Sequence, residues 1–145
     1  MAQLGQGPVA LDSAIFIYFL EEHPDHLDTL TPLFEAIDGG RLRAVTSAVT
    51  LLEVLVVPYR VKNIVLAEQY EELLRQSRGL TLLELSVAQL HLAARLRAET
   101  GMRTPDALQV AAGLSSACTA LLTNDRRLPA SVGGMRVVQL SSLAG

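Results

Sequence analysis

Four acidic residues stand out because of where they fall. Asp12 closes the short apolar run 8–11, and Asp125 follows the run 119–122 through Thr123-Asn124. Asp106 lies just inside a helix opened by Thr104-Pro105, a capping residue followed by a proline suited to a first helical turn. Glu53 interrupts Val-Thr-Leu-Leu-Glu-Val-Leu-Val-Val at 49–57, and a carboxylate on an apolar face is costly unless something neutralises it. Four carboxylates from four separated segments, with no His or Cys among them, form the donor set of a hard cation. Magnesium and manganese take oxygen ligands and leave positions open for water and phosphate oxygens, so phosphodiester hydrolysis is the reaction such a set serves. Each acid also has a plainer role available. Asp12 and Asp125 suit turns or caps, Asp106 complements a helix dipole, and Glu53 suits a snorkelling surface position.

Charge and composition narrow the field. The chain of 145 residues fits one domain spanning 1–145, and 50% apolar residues against 19% charged are enough for a core. Twelve basic residues face fifteen acidic ones, which excludes a polycationic nucleic-acid coat. Without the four acids the remainder is close to neutral, so a bound cation would supply the positive potential that a phosphate needs. All basic residues but Lys62 are arginine. Arginine suits bidentate phosphate contacts, although a GC-rich genome produces the same bias. Cys118 has no partner for an internal disulfide, and with His23, His26 and His91 as the only histidines a Cys/His zinc cage is excluded. No run approaches a membrane span and the first residues lack the basic start of a secretory signal, so a cytoplasmic protein is expected.

The elements that must position the acids follow from periodicity. Apolar runs at 8–11, 42–45, 80–85, 119–122 and 135–140 read as strands. Helical spacing is expected at 14–20, 25–37 with a stop at Gly39-Gly40, from Thr46-Ser47 as cap to an end at Pro58, and at 62–77. Further helices are expected from Ser86 to Thr100 and from Thr104 to about Ala117. Strands alternating with helices predict an α/β fold with a mostly parallel sheet, whose ligand site lies beyond the carboxyl ends of the strands. Asp12 and Asp125 then surface at one edge.

In this order and spacing, Leu-Asp-Ser-Ala-Ile-Phe-Ile at 11–17, Glu53, Arg-Thr-Pro-Asp-Ala-Leu-Gln-Val-Ala-Ala at 103–112 and Leu-Leu-Thr-Asn-Asp-Arg-Arg-Leu at 121–128 resemble a PIN domain. They look most like the stand-alone VapC-type toxins of bacterial toxin–antitoxin pairs. The resemblance implies a five-stranded parallel sheet flanked by helices and a Mg2+- or Mn2+-dependent endoribonuclease. Asp12, Glu53, Asp106 and Asp125 match the acidic quartet, and Thr123 matches a residue that orders it, with Asn124 beside it. A homodimer, an RNA substrate and a small antitoxin whose C-terminal segment covers the cleft are implied as well. One departure is Asp12-Ser13-Ala14, where the family commonly carries a polar third residue.

Arg103, Arg126 and Arg127 neighbour the acids and suit phosphate contacts, but equally pairing with the acids or a place in solvent. Aromatic residues are few, and Phe16, Phe19 and Phe34 read as core, so no base-stacking platform is expected. Gly5-Gln6-Gly7-Pro8-Val9-Ala10 matches a dinucleotide pattern but precedes its strand instead of following it. Phosphoryl transfer on a receiver-like or dehalogenase-like sheet needs an acid at Ala14 and a lysine near the C-terminal end, and both are missing. A non-catalytic interaction module on the same scaffold is the remaining alternative.

Overall fold

The computed structural model describes residues 2–143. Its elements, in chain order, are β1 (Val9–Leu11), α1 (Ser13–Leu20), α2 (Leu27–Asp38), β2 (Ala44–Ser47), α3 (Val49–Arg60), α4 (Ile64–Gln76), β3 (Leu80–Leu83), α5 (Val87–Thr100), α6 (Thr104–Ser115), β4 (Ala120–Thr123), β5 (Ser131–Val132) and β6 (Met135–Gln139). The strands form one sheet in the order β3-β2-β1-β4-β6-β5. The five strands expected from the sequence are mutually parallel, and β5 makes a sixth. Two residues long, β5 folds back antiparallel on β6 through Gly133-Gly134, too short to carry a periodic signal of its own.

Both faces of the sheet are covered, which is why its central strands are apolar without alternation. Val9 and Leu11 of β1, Ala44 of β2, and Ala120 and Leu122 of β4 pack into one core with Phe16, Leu30, Leu33, Phe34, Tyr70 and Leu74 from α1, α2 and α4. The intervening Ala10, Val45 and Leu121 face a second core with Ala93, Leu96, Ala107, Val110 and Ala111 of α5 and α6. This is the period of two expected of a pleated strand. Helix α6 lies close to the sheet because Gly113 has no side chain. A Cβ there would stand 2.7 Å from Met135 Sδ and 3.2 Å from Ala10 Cβ.

Three local expectations are corrected. Pro58 lies inside α3, which runs two residues further to Arg60. In a last turn proline costs one helical bond, and burial of its ring at that point keeps the turn in place. Thr46 and Ser47 belong to β2, and Ala48 stands at the N-cap. Ser47 still contributes, because its Oγ accepts the Val49 N–H at 3.2 Å. Thr104 is already helical, the extended residue before it is Arg103, and α6 ends at Ser115. By contrast, Ser86 caps α5 by accepting the Gln89 N–H at 3.1 Å, and Gly101 ends it at φ 74°. Among the described residues no helix is long and apolar enough to cross a membrane.

Candidate active site

At β1 the chain order reverses, with β2 on one side and β4 on the other, and a crevice opens beyond the carboxyl ends of these strands. It holds about 350 Å³ and is lined by Asp12, Ser13, Ala14, Tyr18, Glu53, Arg103, Asp106, Asn124, Asp125 and Arg127. All four acids singled out in the sequence therefore face one cleft. Asp12 stands at the N-cap position of α1 directly after β1 without a side-chain cap bond, and its N–H continues the β1–β4 ladder by donating to Leu122 O at 3.1 Å. Asp125 leaves β4 two residues after its end, Asp106 sits in the first turn of α6, and Glu53 in the second turn of α3.

Hydrogen bonds fix these carboxylates from below. Thr123 is fully buried, and its hydroxyl donates to Asp12 Oδ2 at 2.7 Å while accepting the Asp125 N–H at 3.0 Å. Gln139, at the end of β6, donates its amide to Asp125 O at 2.9 Å. The Ser13 hydroxyl lies 3.3 Å from Asp12 Oδ1 and also serves the Glu53 carboxylate.

The arginines divide. Arg103 reaches Asp106 Oδ2 at 3.3 Å and Asp125 Oδ2 at 3.6 Å, and Arg127 clasps both oxygens of Asp125 at 2.9 and 3.0 Å. Both guanidinium groups are mostly exposed and line the cleft. Arg126 is exposed and is not among the residues that line the cleft. Asn124 lines the cleft and donates to the Tyr18 hydroxyl at 3.1 Å.

Electrostatics separate the acids. Burial pushes Glu53 above the ordinary glutamate range, with further upward pressure from Asp12 and Asp106, partly relieved by Ser13 and Arg103. Asp106 is raised as well, first by burial, against the pull of Arg103 and with the push of Asp125 and Asp12. Asp125 is lowered, chiefly by the hydrogen bonds from Arg127. Mutually repelling carboxylates with oxygen-only donors fit Mg2+ or Mn2+ chemically. They are not drawn to one point, however. Among the described residues no three His, Cys, Asp or Glu side chains form a ready metal cage, and Arg103 and Arg127 supply the nearest positive charge.

The structure places the remaining sequence candidates away from the chemistry or gives them new surroundings. Val56 and Val57 share a helix face with Glu53 as expected but are exposed, so that face is not apolar core, and Glu53 is half-buried where it lines the cleft. Phe19 is partly buried and stacks on Phe34 with ring centroids 4.1 Å apart. His23 and His26 pack their rings on Tyr18 at 5.0 and 4.7 Å, and His91 is exposed on α5. Ser13 and Tyr18 escaped sequence reasoning as cleft residues. Ser13 stood next to Asp12 and was the available signal, whereas Tyr18 enters the cleft only through the rotation of α1.

Comparison with solved structures agrees with this fold. VapC20 of Mycobacterium tuberculosis, a sarcin–ricin-loop-cleaving toxin, superposes with a TM-score of 0.68 at 13% identity, covering 89% of this chain and 99% of that one. A toxin–antitoxin complex from Klebsiella pneumoniae gives 0.67 at 18% identity, over 92% and 98%. VapBC2 of Rickettsia felis gives 0.62 at 20%, over 90% and 97%. No protein of curated function matches the sequence. At these identities the likeness speaks for the fold, and the sequence itself matches the PIN domain model across residues 9–132. With that span covering nearly the whole sheet and all four cleft acids, the chain belongs to the PIN domain family.

Proposed function

We propose that this protein is a divalent-metal-dependent endoribonuclease and the toxin of a toxin–antitoxin pair. The observation that carries the reading is the convergence of Asp12, Glu53, Asp106 and Asp125, from four different elements, on one cleft at the carboxyl edge of the sheet. Like charges gathered without a cation destabilise a fold, and two of the four are held above their ordinary pKa, first by burial and further by the neighbouring acids. In this reading the four acids hold Mg2+ or Mn2+, which when bound activates water and stabilises the departing oxygen. Water oxygen bonds to phosphorus, the P–O3′ bond breaks and the 3′ oxygen takes a proton, leaving 5′-phosphate and 3′-hydroxyl ends. Arg103 and Arg127 bind the phosphate by exchanging carboxylate oxygens for phosphate oxygens, which their exposure allows. Thr123 and Ser13 hold Asp12 in orientation. Asn124 fixes the Tyr18 hydroxyl at the cleft wall.

The proposed partners follow from surface and comparison. Solved neighbours from K. pneumoniae and R. felis are toxin–antitoxin complexes, which supports a small antitoxin here. Its C-terminal segment is proposed to cover the acidic cleft, and its preceding part to lie in a groove of about 420 Å³ between α1, α2 and α4, with Phe19, Leu20, Phe34 and Leu73 beneath a rim of Glu35, Asp38 and Glu72. Such a groove favours an amphipathic segment with basic residues. A homodimer is proposed through the exposed apolar residues Leu52, Val56, Val57, Tyr59, Val61, Ile64 and Val65 at the junction of α3 and α4. The cytoplasm is proposed as the protein's location, in keeping with the proposed RNA substrate. A non-catalytic interaction module is the second reading, favoured by the arginines that already pair with Asp106 and Asp125.

The deciding test is cleavage of a mixed structured RNA pool with Mn2+, Mg2+ or EDTA, beside Asp106→Asn. Metal-dependent cutting lost in the variant supports the nuclease. A protein that binds neither metal and cuts nothing is the interaction module.

A further inference from the structure

Beneath the acidic cleft lies a set of polar side chains that the proposed chemistry does not touch. Thr46, Ser47, Thr50 and Gln109 are all buried, Gln109 at 3% exposure and the others at 0%. Gln109 Nε2 stands 2.6 Å from Thr50 Oγ1, Thr50 Oγ1 stands 2.7 Å from Thr46 Oγ1, and Thr46 Oγ1 stands 2.8 Å from Leu11 O. Gln109 Oε1 accepts the Ser47 N–H at 3.1 Å.

The distances order the donors. Two pure acceptors face the Thr46 hydroxyl, Leu11 O at 2.8 Å and Gln109 Oε1 at 3.4 Å, and the hydroxyl donates to the nearer, Leu11 O. Thr46 must then accept from Thr50, which leaves Thr50 Oγ1 to accept from the Gln109 amide. The Gln109 amide cannot flip, because its oxygen has to face the Ser47 N–H. The result is a unidirectional chain from Gln109 through Thr50 and Thr46 to the Leu11 carbonyl, with each step polarising the next.

Each end of this chain lies beside a cleft acid. Leu11 immediately precedes Asp12, and the β1–β2 register stops one residue earlier, at Ala10 opposite Val45, so Thr46 takes over the next carbonyl with its side chain. Thr50 is one helical turn before Glu53 on α3, and Gln109 one turn after Asp106 on α6, and residues three apart share a helix face. The chain therefore ties the ends of β1 and β2, the first turn of α3 and the second turn of α6 together beside three carboxylates. Burial of four polar side chains in one place is unfavourable unless all are satisfied, and here they are.

We propose that Thr46, Thr50 and Gln109 are positioning residues that set the separation of Asp12, Glu53 and Asp106 for a divalent cation. This rests on the metal-dependent reading of the cleft. The test compares Thr50→Val, which removes the hydroxyl at constant volume, with Thr50→Ser, which restores it. Gln109→Asn keeps the amide but shortens its reach and serves if Thr50→Val does not fold. Ile37→Val is the stability control, since Ile37 is in the core at the opposite end of the sheet, where its carbonyl accepts the Gly79 N–H before β3.

Mn2+ affinity is measured by calorimetry, unfolding in EDTA by circular dichroism, and RNA cleavage as kcat and KM. Thr50→Val and Gln109→Asn are expected to weaken Mn2+ binding and lower kcat by about tenfold or more, the scale of lost outer-shell support, with KM for RNA within about twofold. Thr50→Ser is expected to recover both. Unchanged Mn2+ affinity in a folded Thr50→Val or Gln109→Asn, or an equal loss in Ile37→Val, overturns the proposal. A wild-type protein that binds no Mn2+ removes the metal reading itself, and this inference with it. Mn2+ binding that is intact in the wild type and in every variant leaves the metal reading standing and removes the positioning role alone.

Discussion

The Thr123 hydroxyl, buried at the end of β4, donates to Asp12 Oδ2 at 2.7 Å and accepts the Asp125 N–H at 3.0 Å, so one side chain orients acids 113 residues apart. Removing that hydroxyl leaves a part-buried N–H without its acceptor and lets Asp12 rotate. Thr123→Val is expected to cost about 1–3 kcal/mol of stability. RNA cleavage should fall by about tenfold or more. Thr123→Ser should behave nearly as wild type. Chemical denaturation and cleavage assays on the pair check this, and equal activity in the valine variant rejects the orienting role.

The pKa directions in the cleft predict how charge trades against stability. Glu53 and Asp106 are raised by burial, so the folded state binds more protons than the unfolded one between their ordinary and raised values. Their contribution is most favourable below the ordinary carboxylate range and is lost as pH rises through the raised values. Asp125 has the opposite sign: its favourable contribution is present above the ordinary range and is lost as pH falls through its lowered value. Glu53→Gln should therefore raise the melting temperature in EDTA at neutral pH by about 2–4 °C, the scale of about 1 kcal/mol in a domain of this size. The same variant should lose the stabilisation that Mn2+ confers on the wild type. A melting temperature lowered by Glu53→Gln in EDTA contradicts the assignment of Glu53 to a repulsive cluster.

Arg127 clasps both oxygens of Asp125 and so competes with any cation for that carboxylate. Arg127→Gln is expected to tighten Mn2+ binding severalfold, because Asp125 is freed. It should also raise KM for RNA, because a phosphate contact is lost. Calorimetry and steady-state kinetics separate the two effects. Weaker Mn2+ binding in the variant means that Arg127 positions Asp125 for the cation instead of competing with it.

The exposed apolar residues at the α3–α4 junction predict self-association. Val57 is 56% exposed and Tyr59 57%, and neither packs in either core. Val57→Glu is expected to shift a dimer to monomer in sedimentation equilibrium without altering the circular dichroism spectrum, since the side chain already faces solvent. A wild-type protein that is monomeric at micromolar concentration removes the proposed dimer face.

Much of the molecule was legible in the chain because its signals are local. Unbroken apolar runs such as 8–11 and 119–122 mark strands covered on both faces, and Ser86 and Gly101 delimit α5 through bonds that a cap makes within a few residues. The acids at the ends of those runs were equally plain, since a parallel α/β sheet gathers its strand termini at one edge. Pro58 misled because a proline in a last turn costs little when its ring is buried, and burial is not a local property. The two-residue β5 was too short for any period to show.

What the fold alone decided is which side chains meet. Glu53 lines the cleft while Val56 and Val57, one turn further along the same face of α3, lie beyond the cleft wall and are exposed, and Thr50, one turn before Glu53, bonds to Gln109, 59 residues away. Arg127 faces Asp125 and Arg126 does not, although the two are adjacent. Residue types fix which chemistry the chain carries, because carboxylates and hydroxyls bring their donors and acceptors wherever they go. Which of them share a cleft depends on crossovers and helix rotations that are settled by contacts between distant segments, and local sequence spacing does not encode those contacts.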